Sequence, residues 1–110
     1  MTVKDLIDGG DFKAITVADE AAPITGGYCG DLLSIVMGNA PENSAWITIQ
    51  SHVNIVAVAS LRGISAIIIA HGFTPDEDTV ETAKEEDVTI LKTQLQPFEA
   101  AKLLVEKYGL

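Results

Sequence analysis

Positive charge is scarce in this chain. Seven lysines and arginines face 16 aspartates and glutamates over 110 residues, for a net charge of −9 and a pI near 4.4. Nucleic acid needs a basic footprint to displace its counterions, so it is not an expected partner, and an anionic membrane surface would be repelled. Cysteine is nearly absent too. Cys29 stands alone, which excludes an intramolecular disulfide and fits a reducing compartment. No apolar run approaches the ~20 residues of a membrane span. The opening Met1-Thr-Val-Lys-Asp-Leu-Ile-Asp8 carries charge where a secretory signal would be apolar. A cytoplasmic location is therefore expected. No glycine is followed by lysine, so the phosphate cradle of a P-loop enzyme, Gly-x-x-x-x-Gly-Lys-Ser/Thr, is missing.

Apolar residues, at 47% of the chain, are ample for one folded domain over residues 1–110. Their spacing alternates between strand and helix. Thr2 with Asp5 starts a short helix through Ile7 that stops at Gly9-Gly10. Strands are expected at Lys13–Asp19, Ala45–Gln50, Ser65–Ala70 and Val88–Thr93. Helices are expected from Asp31 to Gly38, from His52 to Arg62 behind a Ser51 cap, from Thr74-Pro75-Asp76-Glu77, and from Pro97. Glu20–Gly30, with Pro23 and three glycines, reads as loop. Ile67-Ile-Ile-Ala70 is β-branched and unbroken, as in a strand buried on both faces. The predicted fold class is α/β, a small and mainly parallel four-stranded sheet flanked by helices. The acidic runs Asp76–Asp78 and Glu85–Asp87 read as a solvated helix face, with an acidic docking surface as the other reading.

In such sheets ligands bind beyond the carboxyl ends of strands. That places the glycine loop, the Gln50-Ser51-His52-Asn54 turn, His71-Gly72 and Thr93 on one rim. Gly26-Gly27-x-x-Gly30 ahead of a helix suits either a phosphate contact or a tight turn. Asp31 reads as an N-cap. Gln50, Ser51 and Asn54 fit helix capping, and a ligand contact can hold together with it. His52 and His71 could face the same rim, but with Cys29 or Asp31 they match no zinc spacing, so no metal or cofactor is expected. Cys29 beside a histidine as a nucleophile is the weakest reading. Trp46 belongs to the core or to a dimer contact.

The glycine loop, Asp31-Leu-Leu-Ser-Ile-Val-Met-Gly38, Trp46-Ile-Thr-Ile-Gln-Ser-His-Val-Asn-Ile-Val-Ala-Val-Ala59 and Ala66-Ile-Ile-Ile-Ala-His-Gly72 together resemble a DRTGG domain, over roughly Val17 to Tyr108. Such domains occur alone, in phosphotransacetylases and between the CBS domains of regulatory pyrophosphatases. They are similar to the amino-terminal domain of HPr kinase/phosphorylase. Thr25, Gly26 and Gly27 fit the motif behind the family name, whereas Pro23 and Ile24 stand where it has Asp and Arg. The resemblance implies a non-catalytic regulatory domain that forms a homodimer. A small phosphorylated or nucleotide ligand, or a regulated enzyme, would be its partner. The tentative ligand set is Thr25, Gly26, Gly27, Asp31, Gln50, Ser51, His52, Asn54, His71 and Gly72. A protein-interaction module without a ligand is the alternative, and an enzyme of unknown reaction the remaining one. The expected dimer face is the helix from Asp31 to Gly38 with the strand carrying Trp46.

Overall fold

Three consecutive isoleucines set the centre of the fold. In the computed structural model, which describes residues 1–110, Ile67, Ile68 and Ile69 are fully buried in the middle strand of a five-stranded sheet. Successive side chains of a strand point to opposite faces, so a strand buried throughout requires a layer on each side.

The elements run α1 (Val3–Asp8), β1 (Lys13–Thr16), β2 (Gly26–Cys29), α2 (Leu33–Asn39), β3 (Ser44–Thr48), α3 (Asn54–Arg62), β4 (Ala66–Ile69), α4 (Glu77–Glu85), β5 (Ile90–Lys92) and α5 (Pro97–Tyr108). The sheet order is β1-β5-β4-β3-β2. β2, β3, β4 and β5 are parallel, and β1 joins β5 antiparallel. Ile67, Ile69, Trp46 and Ile90 pack under α2, α3 and α4 through Val36, Ile55, Val56 and Ala83. Ile68, Ala45, Ile47 and Leu91 pack under α1 and α5 through Val3, Leu6, Ala100 and Leu104.

The α/β class and the mainly parallel sheet agree with the sequence, but there are five strands where four are predicted. The extra one, β2, lies inside the segment expected to be loop. It pairs with β3 from Gly26↔Ser44 to Cys29↔Ile47. The partner strand supplies the ladder that glycine propensity does not favour. Gly26 and Gly27 therefore have no special backbone geometry: neither has a positive φ. A Cβ on Gly26 would meet open space, and one on Gly27 would lie 3.7 Å from the Ala45 carbonyl oxygen, an ordinary contact.

Other boundaries shift by two residues, about half a turn. α2 begins at Leu33 rather than Asp31, α3 at Asn54 rather than His52, and α4 at Glu77 with Asp76, not Thr74, at its N-cap. Trp46 is fully buried in the core, so it cannot be a dimer contact.

A polar clasp fastens the two ends of the chain. Lys107 Nζ donates to Asp11 Oδ2 at 2.6 Å and to the Gly9 carbonyl at 3.0 Å, and the Tyr108 hydroxyl donates to Asp11 Oδ2 at 2.8 Å. The Lys107 bond first, then the Tyr108 bond, holds the Asp11 carboxyl below its ordinary value. The Asp11 bond raises Lys107 above its own.

Two outcomes follow from this architecture. Gly26→Ala should raise stability in urea by about 0.4–1 kcal/mol, because it restricts the unfolded chain without strain in the folded one; a loss of stability would mean that Gly26 carries a constraint beyond its backbone. The clasp adds stability above the ordinary carboxylate pKa and loses it as pH falls through the depressed Asp11 value. The urea midpoints of the parent and Asp11→Asn should therefore differ at neutral pH and converge in acid.

Candidate functional site

The parallel strands β2 to β5 all end on one edge of the sheet, and the loops that leave them form a continuous polar rim. At the end of β2 the Trp46 indole N–H donates to the Gly30 carbonyl at 2.9 Å and fixes the turn. Asp31 follows. Its Oδ1 accepts from the Thr48 hydroxyl and from the Ile49 N–H, both at 2.9 Å. The Gln50 amide returns a bond to the Asp31 carbonyl at 3.1 Å. Asp31 is thus a latch between the β2 and β3 ends and not the N-cap of α2, a place held by Leu32.

The next loop carries Ser51, His52 and Asn54. The Ser51 carbonyl accepts from the Thr79 hydroxyl at 2.8 Å and the Asp76 N–H at 3.2 Å, which ties it to the start of α4. His52 Nδ1 accepts from the Asn54 N–H at 3.2 Å, so the imidazole satisfies the first N–H of α3, whose N-cap position falls to Val53 and not to Ser51.

Beyond β4, His71 and Gly72 both adopt the left-handed conformation, with φ of 64° and 73°. Gly72 has no Cβ to strain there, but His71 does, and such a conformation costs about 1–3 kcal/mol and persists only where its surroundings hold it. Here they do: the His71 N–H donates to the Leu95 carbonyl at 2.7 Å and the Gly72 N–H to the Thr93 carbonyl at 3.0 Å. The His71 ring meets Phe73 edge-on with centroids 5.2 Å apart.

The rim therefore gathers Asp31, Gln50, Ser51, His52, Asn54, His71 and Gly72. It does not include Thr25, Gly26 or Gly27. The Thr25 N–H donates to the Asn43 carbonyl at 3.0 Å, which puts the start of β2 at the opposite, amino-terminal end of the sheet. Gly27 and Cys29 instead line a small apolar cleft of about 180 Å³ beneath Leu104 and Val105 of α5. Partial burial, then the Asp31 charge, pushes the Cys29 thiol above its ordinary value, which disfavours the thiolate a nucleophile needs. Nowhere do three or more His, Cys, Asp or Glu side chains converge as a metal-ligand group.

Two lysines at this end escape the sequence reading. Lys13 and Lys92 are register partners across β1 and β5. They border a cleft of about 250 Å³ between Gly10–Lys13 and Lys92–Gln94. Lys92 Nζ donates to the Thr74 hydroxyl at 2.6 Å. Only the antiparallel direction of β1 brings its first residue to the carboxyl end of β5, and strand direction leaves no mark in the periodicity of a strand. The signal that remained was the presence of lysine in two strands of an acidic chain.

The Asp31 latch has a measurable role. Asp31→Ala should cost about 1–2 kcal/mol in urea unfolding, because the buried Thr48 hydroxyl and the Ile49 N–H lose their acceptor. Asp31→Asn, which keeps an acceptor oxygen, should recover most of it. Equal losses would show that charge, not the bond pair, is what the site requires.

The chain matches the family model of the DRTGG domain over residues 33–106, more than half of its length. No curated protein matches it. Among solved structures it is similar to the CBS and DRTGG domains of the regulatory region of Clostridium perfringens pyrophosphatase, crystallised in complex with the activator diadenosine tetraphosphate. The TM-score is 0.77 and the identity 19%, over 96% of this chain and 46% of that one. This protein thus spans about half the length of that neighbour, and at such identity the likeness is one of fold. With the family model matched over that stretch and the fold in agreement, the chain belongs to the DRTGG domain family.

Proposed function

We propose that this protein is a non-catalytic regulatory domain of the cytoplasm. It binds a small phosphorylated or nucleotide ligand at the carboxyl-end rim and passes its state to a second copy or a regulated enzyme. The observation that carries the reading is the rim itself: loops from four parallel strands, cross-linked by side chains and backbone, at the edge where α/β sheets take ligands. The same rim offers polar groups without an activated nucleophile, which favours binding over catalysis. The nucleotide activator of the clostridial regulatory region supports the ligand class. No helix is long and apolar enough to cross a membrane.

A second reading, an interaction module without a ligand, is favoured by α2. Leu32 is 65% exposed and Ile35 51%, and no charged residue occurs from Leu32 to Pro41. In a chain of net charge −9, an uncharged apolar face lets two copies meet with the least repulsion. The same face serves the homodimer of the first reading, with Trp46 removed from it.

A thermal-shift screen of the full chain against nucleotides and phosphorylated metabolites separates the two. A true ligand at 100-fold excess over its Kd should add about 2.7 kcal/mol. Light scattering should give a dimer mass that Ile35→Asp reduces. A dimer with no ligand response favours the interaction module, and a monomer that answers no compound sinks both. The purified chain should transfer no phosphoryl group from ATP.

A further inference from the structure

Lys13 and Lys92 stand directly opposite each other on neighbouring strands, an arrangement that destabilises a sheet when the charges are alike. The chain has only seven basic residues. Lys4 and Lys107 are neutralised by Asp8 and Asp11, and the Arg62 guanidinium donates twice to the Ala40 carbonyl, at 3.0 and 2.7 Å. Lys84 and Lys102 are exposed on α4 and α5 without an ion pair. Neither Lys13 nor Lys92 has a carboxylate within ion-pair distance. Asp11, on the wall of the same cleft, is committed to Lys107 and Tyr108. The exposed Asp76, Glu77 and Asp78 at the start of α4 form no ion pair with either lysine. Lys92 has only the neutral Thr74 hydroxyl, and Lys13 has no hydrogen-bond partner.

We propose that the cleft between Gly10–Lys13 and Lys92–Gln94 binds a phosphoryl group of a small phosphorylated metabolite or nucleotide, held by the ammonium groups of Lys13 and Lys92 with the Thr74 hydroxyl beside them. This rests on the reading of a ligand-binding regulatory domain, and it locates the anion on residues outside the tentative ligand set. The cleft opens at the carboxyl end of β5, the place where such sheets take ligands. Its volume of about 250 Å³ is below the ~300–1,000 Å³ of sites that enclose a whole drug-sized molecule. It suits a phosphoryl group whose remainder lies over the rim. Gln94, on the cleft wall, sits against Gly72 so closely that a Cβ there would be 2.5 Å from its Oε1. The wall of the cleft thereby abuts the left-handed His71-Gly72 turn, next to the exposed Phe73. A dianion between the two lysines converts the repulsive pair into two charge-assisted contacts.

The test is a nitrogen-15 NMR titration of the full chain with inorganic pyrophosphate and, separately, with ATP, both in EDTA. Saturable amide shifts at Lys13, Thr74, Lys92 and Gln94 that weaken with added salt are expected. A response to ATP alone would place the main contacts on the nucleoside and overturn the phosphoryl assignment. Lys13→Gln with Lys92→Gln should raise Kd by about tenfold or more. Without ligand, that double variant should be at least as stable as the parent, since the repulsion is gone. Lower stability would make the lysines part of the fold and overturn the proposal, as would unchanged affinity. Shifts confined to Asp31, Gln50, Ser51 and His52 would overturn this site and leave the ligand-binding reading standing. The absence of shifts with either compound would overturn both.

Discussion

Burial of β4 on both faces is the constraint from which the rest of the architecture follows. Fully burying an isoleucine side chain is worth about 1.5–3 kcal/mol, and Ile67, Ile68 and Ile69 achieve it together. They do so only if helices cover both faces of the sheet, since alternate side chains point to opposite sides. Parallel neighbours on both sides of β4 then require each connection to cross over a face, as α3 and α4 do. Crossovers return the chain to the same starting edge every time. The loops that follow the parallel strands consequently lie together at one end, although they are spread from Gly30 to Leu95 in the sequence.

Convergence alone would leave those loops independent. They are instead joined in sequence around the rim: Asp31 to Thr48 and Ile49, Ser51 to Thr79, Gly72 to Thr93 and His71 to Leu95. A group that displaces the His71-Gly72 turn must carry the β5 end with it or break two backbone bonds. The non-glycine residue held at positive φ marks where that tension is stored. A displacement at one loop of such a rim would be felt at the next through these bonds.

The sequence carried the layered architecture and lost the details that depend on pairing. Helix α5 was legible because Pro97 and an apolar stripe agree, and the stop of α3 because Gly63 takes a left-handed φ of 66°. β2 was not, because Gly26-Gly27 has weak strand propensity and its ladder comes from β3. Asp31 reads from the sequence as the N-cap of the nearest helix, whereas its partners lie 17 and 18 residues away. Seven of the ten tentative ligand residues reach the rim because they follow parallel strands. Thr25, Gly26 and Gly27 fail to reach it because they open one.

Net charge is a poor guide to what this rim can hold. At −9 the whole chain repels an anion at long range, but physiological salt screens charges beyond a Debye length of about 8 Å. Inside that distance the local arrangement decides. Most of the acid that gives the chain its sign lies on exposed surface, as in the runs of α4 from Asp76 to Asp78 and from Glu85 to Asp87. Meanwhile the antiparallel entry of β1 brings Lys13 to the end of β5, opposite Lys92. Had β1 run parallel, Lys13 would lie at the other edge of the sheet and Lys92 would stand alone. The direction of one edge strand, which contributes little to the buried core, thus gives an acidic protein its one pair of adjoining unneutralised cations, at the edge where the fold presents its loops.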